Sequence, residues 1–80
     1  MWHEGTIGVP EGKGKYTAVH YWIKHFEEPS EEYGINGGKI SKLMLKANGE
    51  VIYNYDRGLD IDCQGRNAEL ALGILLKEYN

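Results

Sequence analysis

Ile40-Ser-Lys-Leu-Met-Leu-Lys-Ala-Asn48-Gly49-Glu-Val-Ile-Tyr-Asn-Tyr-Asp-Arg57 is the stretch whose reading decides the fold. Asn48-Gly49 stands between two runs of strand-forming residues, the strongest short-range signal for a β-hairpin. A type I′ turn needs positive φ at both central residues, which Asn and Gly reach at little cost. A two-residue loop also sets the register. An unbroken ladder would place Ala47 opposite Glu50, Leu45 opposite Ile52, Leu43 opposite Asn54 and Ser41 opposite Asp56. On the other face Lys46 would meet Val51, Met44 would meet Tyr53, Lys42 would meet Tyr55, and Ile40 would meet Arg57. The first face suits a core. The second is a mixed aromatic and basic surface.

Outward from the hairpin, Tyr16 to Glu27 is the longest strand candidate, rich in aromatic and β-branched residues. Val19, Tyr21 and Ile23 share one face; Ala18, His20, Trp22, Lys24 and Phe26 share the other. Trp2 to Val9 forms a weaker first strand, interrupted by Gly5 and Gly8, as expected at a sheet edge or bulge. Trp2, Glu4 and Thr6 fall on one side, His3, Ile7 and Val9 on the other. Pro10-Glu11-Gly12-Lys13-Gly14-Lys15 predicts a flexible connection. Its two glycines and two lysines suggest a phosphate loop, but the spacing is wrong and no helix follows. Between Glu27 and Gly38 lie an acidic bend and a glycine-rich loop, expected to be mobile.

The only clear helix runs from Arg66 to Tyr79. Ala68, Ala71, Leu72, Leu75, Leu76 and Tyr79 form its apolar stripe, with Leu70 and Ile74 widening it and Glu69, Gly73 and Lys77 opposite. The segment Leu59 to Gly65 reads as a lead-in to this helix. The predicted architecture is α+β: a single domain over residues 1–80, with a four-stranded antiparallel meander and one C-terminal helix packed on one face. The other face of the sheet is left uncovered.

Eighty residues support one sheet-plus-helix layer and little more. A net charge of −3 gives no bulk electrostatic case for nucleic acid. The one cysteine, Cys63, cannot form an internal disulfide, so a reducing cytoplasm fits best. No apolar run reaches membrane-spanning length, and the first residues do not read as a signal peptide.

The uncovered face gathers Trp22, Lys42, Met44, Lys46, Tyr53, Tyr55 and Arg57, with Phe26 alongside. Aromatic residues, Met and Arg are enriched at protein interfaces, and the acidic charge balance favours a protein partner. The alternative is single-stranded nucleic acid stacked on the aromatics between lysines. Glu27, Glu28, Glu31 and Glu32 form an acidic bend that reads either as a solvated loop or as phosphate mimicry towards a basic partner. His3, His20, His25, Asp60, Asp62 and Cys63 lack metal-ligand spacing, with His20 and His25 on opposite faces of one strand. Cys63 has no adjacent base, no catalytic constellation stands out, and no cofactor is implied. A homodimer pairing sheets face to face or edge to edge is compatible with either binding reading.

Tyr33-Gly34-Ile35-Asn36-Gly37-Gly38-Lys39-Ile40-Ser41-Lys42-Leu43, then Gly49, then Tyr55-Asp56-Arg57-Gly58 with a trailing helix, resembles a group of short uncharacterised proteins. These occur in Gram-positive gut bacteria, their phages and mobile elements. The resemblance implies a small non-enzymatic inhibitor that binds and blocks a host protein, such as an anti-CRISPR protein acting on a CRISPR effector. It carries over no functional residue.

Overall fold

In the computed structural model, which describes residues 2–80, the hairpin forms at Asn48-Gly49, with φ of 52° and 78°. It joins β3 (Ile40–Ala47) to β4 (Glu50–Asp56). Ahead of it run β1 (Trp2–Gly12) and β2 (Lys15–His25); after it come β5 (Leu59–Ile61) and the helix α1 (Arg66–Tyr79). All neighbouring strands are antiparallel, in the order β1-β2-β3-β4-β5. The fold is therefore an α+β meander with a C-terminal helix, and the sheet has five strands rather than four.

The fifth strand was expected to be a lead-in because three residues carry almost no periodic signal. A tight turn creates it. Arg57 adopts φ 58°, and the Asp56 N–H donates to the Gly58 carbonyl at 2.9 Å, which folds Leu59–Ile61 back onto β4. The 10–15 connection also differs from expectation. β1 continues through Pro10 and Glu11 to Gly12, and only Lys13-Gly14 turn, with φ of 52° and 73°. The extension bonds to the helix start. Arg66 donates to the Pro10 carbonyl at 3.1 Å, and the Asn67 amide donates to the Glu11 carboxylate at 2.8 Å. That bond with Asn67, more than any other contact, lowers the Glu11 pKa.

The loop between β2 and β3, expected to be mobile, is tied to itself by backbone bonds. Ser30 N–H donates to Gly38, Gly34 N–H to Ser30, and Phe26 N–H to Lys39, each at 2.9 Å. A short 3₁₀ turn, Ile35–Gly37, buries Ile35 against the core.

α1 crosses β1, β2 and β3 on one face. It is antiparallel to β1, since its start lies at Pro10 and Glu11 while Tyr79 rests on the His3 ring at 4.8 Å. Ala68, Ala71 and Leu75 are buried on Val9, Val19, Ile23, Leu43 and Leu45; Leu72, Leu76 and Tyr79 complete the stripe. The small alanines let the helix sit close to the sheet. Leu70 and Ile74 do not widen the buried stripe: they are 40% and 50% exposed.

The hairpin register changes two residues from the turn. Ala47 pairs with Glu50 and Lys46 with Val51, but Leu45 then pairs with Tyr53 and Leu43 with Tyr55. Ile52 is the extra residue of a β-bulge. The bulge lets consecutive residues Ile52 and Tyr53 both be buried. It also reverses the sides of everything after it in β4. Tyr53 and Tyr55 join the helix side, while Asn54 and Asp56 turn to the open side.

Candidate functional site

The face of the sheet opposite the helix is built from alternate residues of four strands. Trp2 and Glu4 pair with Lys24 and Trp22, and Trp22 in turn stands opposite Met44. Met44 stands opposite Asn54, and Lys42 opposite Asp56. Because opposite residues in an antiparallel sheet share a face, these side chains form one continuous surface. Trp2, Trp22, Met44, Lys42, Asn54 and Asp56 line an open hollow of about 400 Å³.

Its apolar part is aromatic and its charges are matched. Lys24 lies over the Trp2 ring, with Nζ 5.6 Å from the centroid. Lys42 Nζ approaches Asp56 Oδ1 at 3.5 Å. Asn54 donates from Nδ2 to Asp60 Oδ2 at 2.9 Å, which fixes the amide at the rim. Beside Trp22 the His20 ring tilts at 60°, centroids 4.4 Å apart. His20 Nε2 contacts Glu4 Oε2 at 2.7 Å, and its Nδ1 lies 3.0 Å from the Thr6 hydroxyl. With Nε2 donating, Nδ1 of the neutral ring accepts from Thr6. The hollow is therefore an aromatic floor with a polar rim.

Of the residues the sequence assigns to this surface, Trp22, Lys42, Met44 and Lys46 lie on it. Tyr53 does not, which corrects the expected orientation; the bulge at Ile52 carries it to the helix side. Tyr55 turns with it in the register, opposite Leu43, and lines both the hollow and the helix-side cleft with Leu72 and Leu76. Tyr53 is buried, and its phenol is pushed up to about 12, chiefly by burial and then by the neighbouring Cys63 and Asp62. Arg57 is in the β4–β5 turn, with its guanidinium carbon 5.6 Å from the centroid of Tyr33. Glu27, Glu28, Glu31 and Glu32 are exposed in the loop beyond the end of β2. Trp2, Asn54 and Asp56 were missed. Trp2 had a signal, since alternation already placed it with Glu4 and Thr6; the other two depend on the bulge.

On the helix side, His3 and His25 stack with centroids 5.1 Å apart and Nε2 atoms 3.1 Å apart. His25 Nδ1 donates to the Phe26 carbonyl at 2.9 Å, so its Nε2 accepts from His3 in the neutral pair. Tyr79 packs on both rings, and its hydroxyl donates to Tyr21, which raises its pKa. Among the described residues no three His, Cys, Asp or Glu side chains converge as metal ligands. Cys63 is partly buried; burial, with Asp62 next to it, pushes its thiol up, the opposite of what a nucleophile needs. No helix among the described residues is long and apolar enough to cross a membrane.

No curated protein and no solved structure matches this chain. A family model described as a domain of unknown function (DUF7678) matches residues 1–80, and the chain belongs to that family.

Proposed function

We propose that this protein is a non-enzymatic binding module that engages a protein partner through the open sheet face. The observation that carries this reading is the hollow between Trp2, Trp22 and Met44, an aromatic and thioether floor with its charges paired at the rim. Such floors, rimmed by satisfied polar groups, are where interfaces concentrate their binding energy. A nucleic-acid partner is disfavoured by the same geometry. Tyr53 is withdrawn from the stacking surface, Lys42 is matched by Asp56, and Lys24 is held against Trp2. The likeness to phage and mobile-element proteins supplies the kind of partner. In that reading the protein binds and blocks a host protein such as a CRISPR effector, with the acidic bend at Glu27, Glu28, Glu31 and Glu32 adding contacts.

The test compares wild type with Trp22→Ala/Met44→Ala and with Arg57→Ala as immobilised baits for host proteins, with circular dichroism confirming the fold of each. Loss of a specific, identified protein from the double variant, and its retention by Arg57→Ala, is the expected result. Equal retention by all three sinks the proposal. Binding to oligonucleotides that falls steeply with salt would replace it with the nucleic-acid reading.

A further inference from the structure

We infer that β1 is a self-association edge, and that its occupant is the β1 of a second copy of this chain. The two edges of the sheet are unlike. β5 is three residues long, with Asp60 at its centre and Asp62 just after it, the short and charged form in which exposed edges are kept from pairing. β1 pairs with β2 without interruption from Trp2 to Pro10, and its irregularity is confined to Pro10–Gly12. From Trp2 to Val9 it carries no lysine and no proline, and its one carboxylate is Glu4. Every second residue of that run turns its N–H and C=O away from β2, an unpaired ladder ready for a further strand.

The helix shows what completes it. Asn67 reaches Glu11 on β1, so the flank of α1 that carries Asn67 faces the β1 edge. Leu70 and Ile74 follow three and seven residues later and lie on that same flank. Leu72 and Leu76 face the other way, towards Tyr53, Tyr55 and Leu59. The 40% and 50% exposure of Leu70 and Ile74 is therefore apolar surface overhanging the open edge. Since α1 runs antiparallel to β1 from Pro10 to His3, Ile74 stands above the middle of the strand.

An antiparallel β1–β1 pair has its two-fold axis normal to the sheet, which puts both helices on the same face. Residues of equal parity then face each other, as Glu4 does Thr6 when the axis passes through Gly5, so like charges do not meet. With strands about 4.8 Å apart and each helix centred over β2, the helix axes would stand about 14 Å apart. Helices with ordinary side chains are about 10–12 Å across, so large apolar residues are needed to close that gap. Leu70 and Ile74 stand in it, and the two-fold sets one Ile74 near the other. A lone extended peptide could pair with the β1 backbone but would leave this flank bare. A second copy covers both.

The experiment is sedimentation at two concentrations about a hundredfold apart, on wild type and on Leu70→Lys/Ile74→Lys. It is combined with amide hydrogen exchange along β1. Both substituted positions are exposed, so the fold is retained and circular dichroism verifies it. The expected result is a dimer mass at the higher concentration that falls on dilution and is lost in the variant. Slow exchange at the amides of residues 2–8, including those turned away from β2, should accompany the dimer. A monomer mass throughout overturns the inference. So does a dimer that survives the substitutions while the outward β1 amides exchange fast.

Discussion

Asn80 Oδ1 accepts the backbone N–H of Ile40 at 2.9 Å, while its Nδ2 donates to the Ile35 carbonyl at 3.0 Å. One amide thus joins the end of the helix to the start of β3 and to the 3₁₀ turn. The Ile40 side chain is fully buried, so water has little access to replace the bond. Asn80→Ala should destabilise the fold by about 1–3 kcal/mol, the cost of leaving such groups unsatisfied. Gly38 lies directly beneath the amide and a methyl group there would collide with it, so Gly38→Ala should produce a similar loss. Urea denaturation, read as a lower midpoint at unchanged slope, checks both.

Tyr53 gives stability a defined dependence at alkaline pH. Its folded-state pKa is about 12 against an ordinary value of 10.0, because ionisation would place a charge in the core beside Cys63 and Asp62. The unfolded chain therefore releases this proton first. The contribution is complete below pH 10 and is lost as pH rises to about 12, on the order of 2–3 kcal/mol in all. Tyr53→Phe should show a shallower fall in stability across that window than wild type. Equal slopes for the two proteins would show that Tyr53 does not titrate with the fold.

The same tyrosine marks where sequence reasoning stops. Asn48-Gly49 located the hairpin because turn chemistry is local, and the helix from Arg66 to Tyr79 was legible because its apolar residues recur over four turns. The bulge has no local code. It arises because Ile52, Tyr53 and Tyr55 can all gain burial, each worth about 1.5–3 kcal/mol when complete, only if one residue drops out of the ladder. The adjacent pair Ile52-Tyr53 was the available trace, since two consecutive large apolar residues cannot both face a core from a regular strand. Reading the ladder as unbroken placed Lys42 and Met44 correctly and put Tyr53 and Tyr55 on the wrong side. Likewise Leu59–Ile61 was too short to show a period, and only the turn at Arg57 brings it beside β4.

Two glycines of β1 should respond in opposite ways to the same substitution. A Cβ at Gly5 would sit 2.6 Å from the Tyr21 hydroxyl oxygen and 2.8 Å from its ring carbon, so the ring must move and its bond with Tyr79 is strained. Gly5→Ala should cost about 1–3 kcal/mol, as overpacking does. At Gly8 the nearest atom is a Tyr16 ring carbon at 3.6 Å, an ordinary contact. Gly8→Ala should be neutral, or stabilising by up to about 1 kcal/mol through the lost freedom of the unfolded chain. Thermal melts of the two variants side by side read the contrast directly.

Gly73 offers a gain without a structural cost. It lies inside α1, is exposed, and a Cβ there would meet nothing within 4 Å. Alanine restricts the unfolded backbone and favours the helix, so Gly73→Ala should stabilise by about 0.5–1 kcal/mol. For a domain of this size that is a rise in Tm of roughly 2–8 °C. The substitution also probes the open face. Gly73 lies on the helix, on the other side of the sheet from the hollow, so capture of the protein partner should be unchanged while Tm rises. Partner capture that falls in this stabilised variant would show that the helix, and not the open sheet face, meets the partner.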